Sequence, residues 1–253
     1  MGSKAIVLAA GKGTRMKSDL AKVLHPVAGR PMLLWALDAL VAAQCDEIAV
    51  VVGHQADAVR AILPDGVGSA LQSEQLGTGH AALVGLAELS VESGDDVIIM
   101  PGDMPLVRAE TLVELIDLHR SSRAAGTLLT VKLDEPRAYG RIIRAGDGGV
   151  IGVVEAKDAT PEQLGIAEVG TSVYVFSGEW LAGALDRITT DNAQGEYYLT
   201  DVVSILVADG HRIEALEASP EEGLGVNSID QITGVEAALE ARRSALGDPI
   251  EDR

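Results

Sequence analysis

The 253-residue sequence predicts an α/β fold, a Rossmann-like mixed, mostly parallel sheet flanked by helices, with a smaller antiparallel lobe. Three observations lead there. Short apolar runs rich in β-branched residues alternate with helix-spaced segments from Ala5 to His119, the pattern of βαβ crossovers. Hydrophobic residues make up 47% of the chain but aromatics only 3%, so the core is aliphatic, as a helix-covered parallel sheet requires. After Gly126 the strand-like runs follow one another with turns between them and few helices, which reads as antiparallel.

The elements follow in order. Ala5 to Ala10 is a short buried strand running into Gly11 and Gly13. Pro31 opens a helix at its first position, continued by MLLWALDALVAA. Glu47 to Val52 is a strand ended by Gly53, Gln55 to Leu63 a helix, and Ala70 to Gln72 a short strand. A glycine-started helix spans Gly77 to Leu89, the strand Asp96 to Met100 ends at Pro101-Gly102-Asp103, and a helix covers Ala109 to His119. In the second half, Thr127 to Leu133, Tyr139 to Arg144, Val150 to Glu155 and Glu168 to Phe176 read as strands. Tyr197 to Ala208 reads as a helix, Arg212 to Leu216 as a strand, and Ile229 to Leu246 as a terminal helix. No Pro/Ser-rich linker or internal repeat divides the chain. A single domain over 1–247 is expected, with one lobe to about 133, a second over about 134–228, the helix 229–246 and a fraying tail at 248–253.

Charge narrows the partners. The formal net charge is −18, yet six of the 20 basic residues lie in the first 30 positions beside a single acid, Asp19. A basic glycine loop in an acidic shell suits a small anionic ligand, whereas a nucleic acid needs a broad basic face and an anionic membrane gains nothing from this surface. The lone cysteine, Cys45, excludes an internal disulfide and fits a reducing cytoplasm. No apolar run nears the roughly 20 residues that span a bilayer, and the opening run is too short for a signal peptide. Oligomeric state is not legible.

Four constellations carry chemistry. Gly11-x-Gly13 follows a strand and precedes Arg15 and Lys22; glycine lets backbone N–H groups approach a polyphosphate and the cations neutralise it. Met16 stands where a dinucleotide fingerprint has its third glycine, so an ordinary strand-to-helix turn competes with an anion loop until the two cations are counted. In Gln72-x-x-Gln75-Leu76-Gly77-Thr78-Gly79 the amides suit a base edge and the helix start suits an anion, although a capping Thr78 explains part of the pattern. Asp103 stands beyond the C-terminal end of an apolar strand, where open sheets bind ligands; it suits Mg²⁺ accompanying a nucleotide, or a plain turn. Tyr139-Gly140-Arg141, Glu155, Gly170-Thr171-Ser172 and Gly225-Val226-Asn227 are turn or strand residues able to face a cleft, with Glu155 suited to sugar hydroxyls. The five histidines have no metal-ligand spacing, and no covalent nucleophile motif occurs.

Taken in order, LAAGKGTRM, SDLAKVLHPVAGRPM, SEQLGTGHA, GDMPL, VKLDEPRAYGRI, VEAKDAT, DNAQGEYYLTD and GVN resemble the bacterial sugar-nucleotide pyrophosphorylases, in particular the uridylyltransferase domains that act on N-acetylglucosamine 1-phosphate. The resemblance runs along nearly the whole chain and implies a fold of the nucleotide-diphospho-sugar transferase type. It implies that UTP and a sugar 1-phosphate give a UDP-sugar and pyrophosphate. By position, Arg15 and Lys22 would be the catalytic cations, and Leu8, Ala9, Ala10, Gly11, Gly13, Gln72, Gln75, Gly77, Thr78, Gly102 and Asp103 would hold the nucleotide. Gly140, Glu155, Gly170, Thr171 and Asn227 would hold the sugar, with Asp103 and Asn227 binding the Mg²⁺ cofactor. The chain departs from the pattern at Pro101, at Gly170-Thr171-Ser172, where relatives carry Asn-Thr-Gly, and at Asn227-Ser228-Ile229. The hexapeptide-repeat acetyltransferase domain of the bifunctional members is missing from this sequence, so no acetyltransferase activity is expected.

Overall fold

The structure, a computed structural model, describes residues 2–223 and 225–246. The tail expected to fray lies outside these residues.

Strand β1 (Ser3–Ala9) forms because alternate residues are buried on both faces. Ala5 and Val7 face one core, shared with Leu33, Leu37, Leu112 and Leu115; Ile6 faces the other, shared with Ala82, Leu181 and Val203. Parallel strands β4 (Glu47–Val52) and β6 (Asp96–Pro101) share this two-sided apolar character, as strands between helix layers must, whereas β5 (Val67–Leu71) is a partly exposed strand at the sheet edge. β1 lies between β4 and β6, with β5 outside β4. The other strands are a two-residue ribbon, β2 (Pro26–Val27) with β3 (Arg30–Pro31), then β7 (Gly126–Lys132), β8 (Arg141–Arg144), β9 (Val150–Val154), β10 (Glu168–Ser177) and β11 (Ile213–Glu217). The nine-stranded sheet runs β11-β7-β10-β6-β1-β4-β5. β10 is antiparallel to both β6 and β7, β11 is parallel to β7, and β8 and β9 branch from β10 as an antiparallel hairpin. Strands from both halves of the chain thus share one sheet of the expected mixed, mostly parallel kind.

Helices α1 (Met32–Ala42) and α4 (Ala109–Ser122) cover the first face. Helices α3 (Thr78–Leu86), α6 (Gly178–Leu185) and α7 (Asp201–Ala208) cover the second. Short α2 (Ala56–Arg60) and α5 (Pro161–Leu164) lie in connections, and α8 (Ile229–Leu246) packs Val235 and Leu239 on Met16, Met32 and Leu106.

Several boundaries differ from the sequence reading for physical reasons. Pro31 is not the first residue of α1 but closes the ribbon, whose turn uses Ala28 and Gly29 at φ 50° and 77°. α6 was not expected; a glycine at its start, Gly178, and one inside it, Gly183, weaken it alone, and burial of Leu181, Ala184 and Leu185 holds it. Tyr197 does not begin a helix. The stretch before α7 is irregular and ends in a turn, and its backbone pairs with the turn before α3 through Tyr197 N–H to Leu76 O (2.8 Å) and Gly79 N–H to Tyr197 O (2.7 Å).

Candidate active site

The C-terminal ends of β1, β5 and β6 open onto one continuous cleft. Its inner part, about 380 Å³, is lined by Leu8, Ala9, Ala10 and Gly11 after β1, by Gln72, Gln75, Gly77 and Thr78, and by Pro101 and Asp103. Its outer part, about 580 Å³, is lined by Arg15, Tyr139, Gly140, Glu155, Gly170, Thr171 and Asn227. Lys22, Thr78, Pro101, Asp103, Glu155, Ser172, Tyr174 and Thr200 border both.

The loop after β1 is shaped by what must lie beside it. Gly13 sits at φ 59°, and a Cβ there would come within 2.6 Å of the Lys22 Cβ. Glycine therefore lets the loop fold over the Lys22 stem and aim its ammonium inward. Gly77 is stricter: at φ 117° a Cβ would stand 2.5 Å from the Tyr197 carbonyl oxygen. Its absence allows the turn before α3 to dock on the 196–199 stretch, where the Leu199 N–H donates to the Thr78 hydroxyl (3.0 Å). The Gln72 amide is buried beneath this turn and donates to the Gly77 carbonyl (3.1 Å) and contacts His80 Nδ1 (3.0 Å). The Gln75 amide donates to the Gln72 carbonyl (3.2 Å).

At the junction of the two parts four side chains meet. Lys22 pairs with the Asp103 carboxylate and donates to Asn227 Oδ1 (2.8 Å), which also accepts from the Arg15 guanidinium (2.7 Å). The Val226 N–H donates to the Asp103 carbonyl (2.9 Å), joining the two segments that carry the oxygens. Glu222, five positions before Asn227 in the chain, is buried and accepts from Arg108 and from the Thr111 hydroxyl (2.6 Å). Burial raises the Glu222 pKa, and these hydrogen bonds outweigh it, so the group lies below the usual carboxylate value.

Asp103 and Asn227 offer a carboxylate and an amide oxygen, and one cation, the Lys22 ammonium, already bridges them. Hard oxygens from one or two protein groups, completed by phosphate, are what Mg²⁺ takes, so the residues fit. Among the described residues no group of three or more His, Cys, Asp or Glu side chains makes a fuller metal site.

In the outer part, Glu155 is pushed up by burial and by Asp158, Asp201 and Glu196, against a hydrogen bond from Thr200. Tyr139 is likewise raised, chiefly by burial. The loop before β8 is fixed by buried Arg141, whose guanidinium donates to the carbonyls of Arg137 (3.1 Å) and Tyr139.

The cleft gathers most of the residues singled out from the sequence. Two stand behind its wall. Gly13 packs on Lys22, and Gly102 is buried against Leu33, Val23 and Val7 with its N–H spent on the Leu8 carbonyl (2.9 Å). Thr171 borders the outer part but turns its hydroxyl to the Leu129 carbonyl (2.9 Å). Sequence reasoning missed Glu196, Leu199 and Thr200; the DNAQGEYYLTD segment was the available signal.

The profile of the MobA-like NTP transferase domain matches residues 5–220. The chain belongs to this family. It is 51% identical over 231 residues to the bifunctional protein GlmU of Geobacter metallireducens, covering 90% of this chain and 48% of that protein. The GlmU proteins of Exiguobacterium sibiricum and Brevibacillus brevis are 46% and 47% identical, over 96% and 94% of this chain and 54% and 52% of theirs. The chain thus spans about half the length of the curated relatives it matches. This NTP transferase domain has no helix among its described residues long and apolar enough to cross a membrane.

Proposed function

We propose that this chain is a sugar-1-phosphate nucleotidyltransferase that joins UTP and N-acetylglucosamine 1-phosphate to give UDP-N-acetylglucosamine and pyrophosphate, in the cytoplasm. The observation that carries the reading is the meeting of Arg15, Lys22, Asp103 and Asn227 at the waist of a two-part cleft. GlmU-named relatives at about half identity support the same substrates.

We assign the nucleotide to the inner part and the sugar to the outer part, so that the lobe over about 1–133 serves UTP and the lobe over about 134–228 serves the sugar. The backbone from Leu8 to Gly11 and the turn Gly77-Thr78, backed by Gln72 and Gln75, hold the base and phosphates. Gly140, Glu155, Gly170 and Thr171 border the sugar. Lys22 and Arg15 neutralise the triphosphate and hold the α-phosphorus in line with its attacker. The phosphate oxygen of the sugar 1-phosphate attacks the α-phosphorus of UTP; the new P–O bond forms as the bond to pyrophosphate breaks, and the leaving electron pair departs on pyrophosphate. The nucleophile is already ionised, so no side chain must remove a proton. Asp103 and Asn227 would hold Mg²⁺, which when bound supplies further neutralisation of phosphate charge.

A panel of nucleoside triphosphates and sugar 1-phosphates, read by pyrophosphate release and product chromatography, tests this. Release should require UTP, N-acetylglucosamine 1-phosphate and Mg²⁺ together; release independent of the sugar phosphate contradicts it. A second reading keeps the chemistry and changes the sugar. It draws on Gly170, which brings no side chain to the outer part, and a preference for a hexose phosphate without the acetamido group would favour it.

A further inference from the structure

β10 breaks its regularity where it borders the cleft. Its pairing with β7 shifts register between Gly170 and Tyr174, and within that shift Ser172 adopts φ 64°. Among the described residues it is the one non-glycine residue inside a strand with positive φ; the others lie in turns, loops or helix caps. A left-handed conformation is strained for serine and free for glycine. The flanking residues explain the bulge without it. Thr171 and Val173 are buried, and the Thr171 hydroxyl donates to the Leu129 carbonyl (2.9 Å) and accepts from the Val173 N–H (3.3 Å).

Ser172 itself is exposed, and it borders both parts of the cleft beside Glu155 and Thr200. Its hydroxyl lies within reach of the buried Tyr174 phenol. Two residues earlier, a Cβ on Gly170 would meet nothing closer than Ile142 Cδ1 at 3.6 Å, ordinary contact, so there is room for a side chain and none is present. The polar side chain that β10 exposes to the cleft is therefore Ser172, on a backbone that holds it at a cost.

We propose that Ser172 is a specificity residue for the second substrate, its hydroxyl hydrogen-bonding a polar substituent of the sugar ring opposite the carboxylate of Glu155. Strain kept at one exposed cleft position is explained when the strained residue aims a group at a ligand. A hydroxyl donates and accepts, so it pairs with either a ring hydroxyl or an amide substituent, while a carboxylate only accepts. The inference rests on the assignment of the outer part of the cleft to the sugar.

Steady-state kinetics and thermal melts of Ser172→Ala and Ser172→Gly test it, with UTP and N-acetylglucosamine 1-phosphate as substrates. Ser172→Ala keeps the strained backbone and loses the hydroxyl; Ser172→Gly loses both. Each should raise the KM for the sugar phosphate about tenfold, the worth of one neutral hydrogen bond, with kcat and the KM for UTP little changed. Ser172→Gly should melt no lower than the parent. An unchanged sugar KM in both variants, or an equal rise in the UTP KM, overturns the inference while leaving the proposed function standing. Absence of wild-type turnover with any sugar 1-phosphate overturns the proposed function itself.

Discussion

The two ends of the same parallel strands are built to opposite plans. At the N-terminal ends, charge is closed on itself. Asp46 accepts the Ser3 N–H (3.0 Å) and Asp95 accepts the Gly2 N–H (2.7 Å). Buried Asp96 pairs with Arg120 (2.6 Å), which also donates to the Ser3 hydroxyl, and Asp96 faces His119 (3.5 Å). A hollow of about 390 Å³ exists there too, but Ser3, Asp46 and Arg120 in its lining are already partnered. At the C-terminal ends, Lys22, Arg15, Asp103 and Asn227 crowd one waist with open volume on both sides. Volume alone therefore does not mark a site; charge gathered beside volume does.

Mutations at the two ends should separate activity from stability. The largest effect is expected at the cleft. Lys22→Ala should lower kcat/KM by about 10³-fold, the worth of a charge placed where the transition state needs it, with the fold intact by circular dichroism. The mirror experiment is Asp96→Asn, which takes the charge from a buried carboxylate paired with the exposed Arg120. It should cost about 1.5 kcal/mol in denaturant melts and leave kcat near the parent value. Equal effects of the two variants on activity would erase the contrast.

Smaller effects are expected from pH. Because Glu155 is raised above its ordinary 4.5, acidification should raise the KM for the sugar phosphate before an unperturbed glutamate would respond; steady-state assays across pH 5–8 read this out, and Glu155→Gln should flatten the profile. At the opposite end His119 is lowered below 6.5, by burial first, against the pull of Asp96. The folded state thus binds the proton less readily than the unfolded chain. Its contribution is full above pH 6.5 and is lost as pH falls toward the depressed value. Melting temperature should decline over that window, and His119→Asn should reduce the slope.

Much of the fold was legible because fully buried strands write continuous apolar runs. Glu47–Val52 has the expected boundaries, and so does the terminal helix Ile229–Leu246. α6 was not legible, since its helicity comes from burial against the sheet rather than from its glycine-rich sequence. Tyr197 to Thr200 was misread as helix because its non-helical shape is imposed by a partner about 120 residues earlier, the turn at Gly77. The inner cleft could be read from local motifs, because a strand end, a glycine turn and a helix start are neighbours in sequence. The bond from Lys22 to Asn227, 205 residues away, could not be; family resemblance assigned both residues to the site without pairing them. Ser172 stood in a noted motif, but its left-handed backbone has no sequence signature.

The proposed function requires that the charges gathered at the C-terminal strand ends hold a nucleoside triphosphate. Calorimetric titration of UTP with Mg²⁺ into wild type, Lys22→Ala and Asp96→Asn tests it most directly. Wild type and Asp96→Asn should bind alike, and Lys22→Ala should bind at least about 100-fold more weakly, as loss of a charge-assisted phosphate contact implies. Undiminished UTP binding by Lys22→Ala, or none by wild type, would contradict the account.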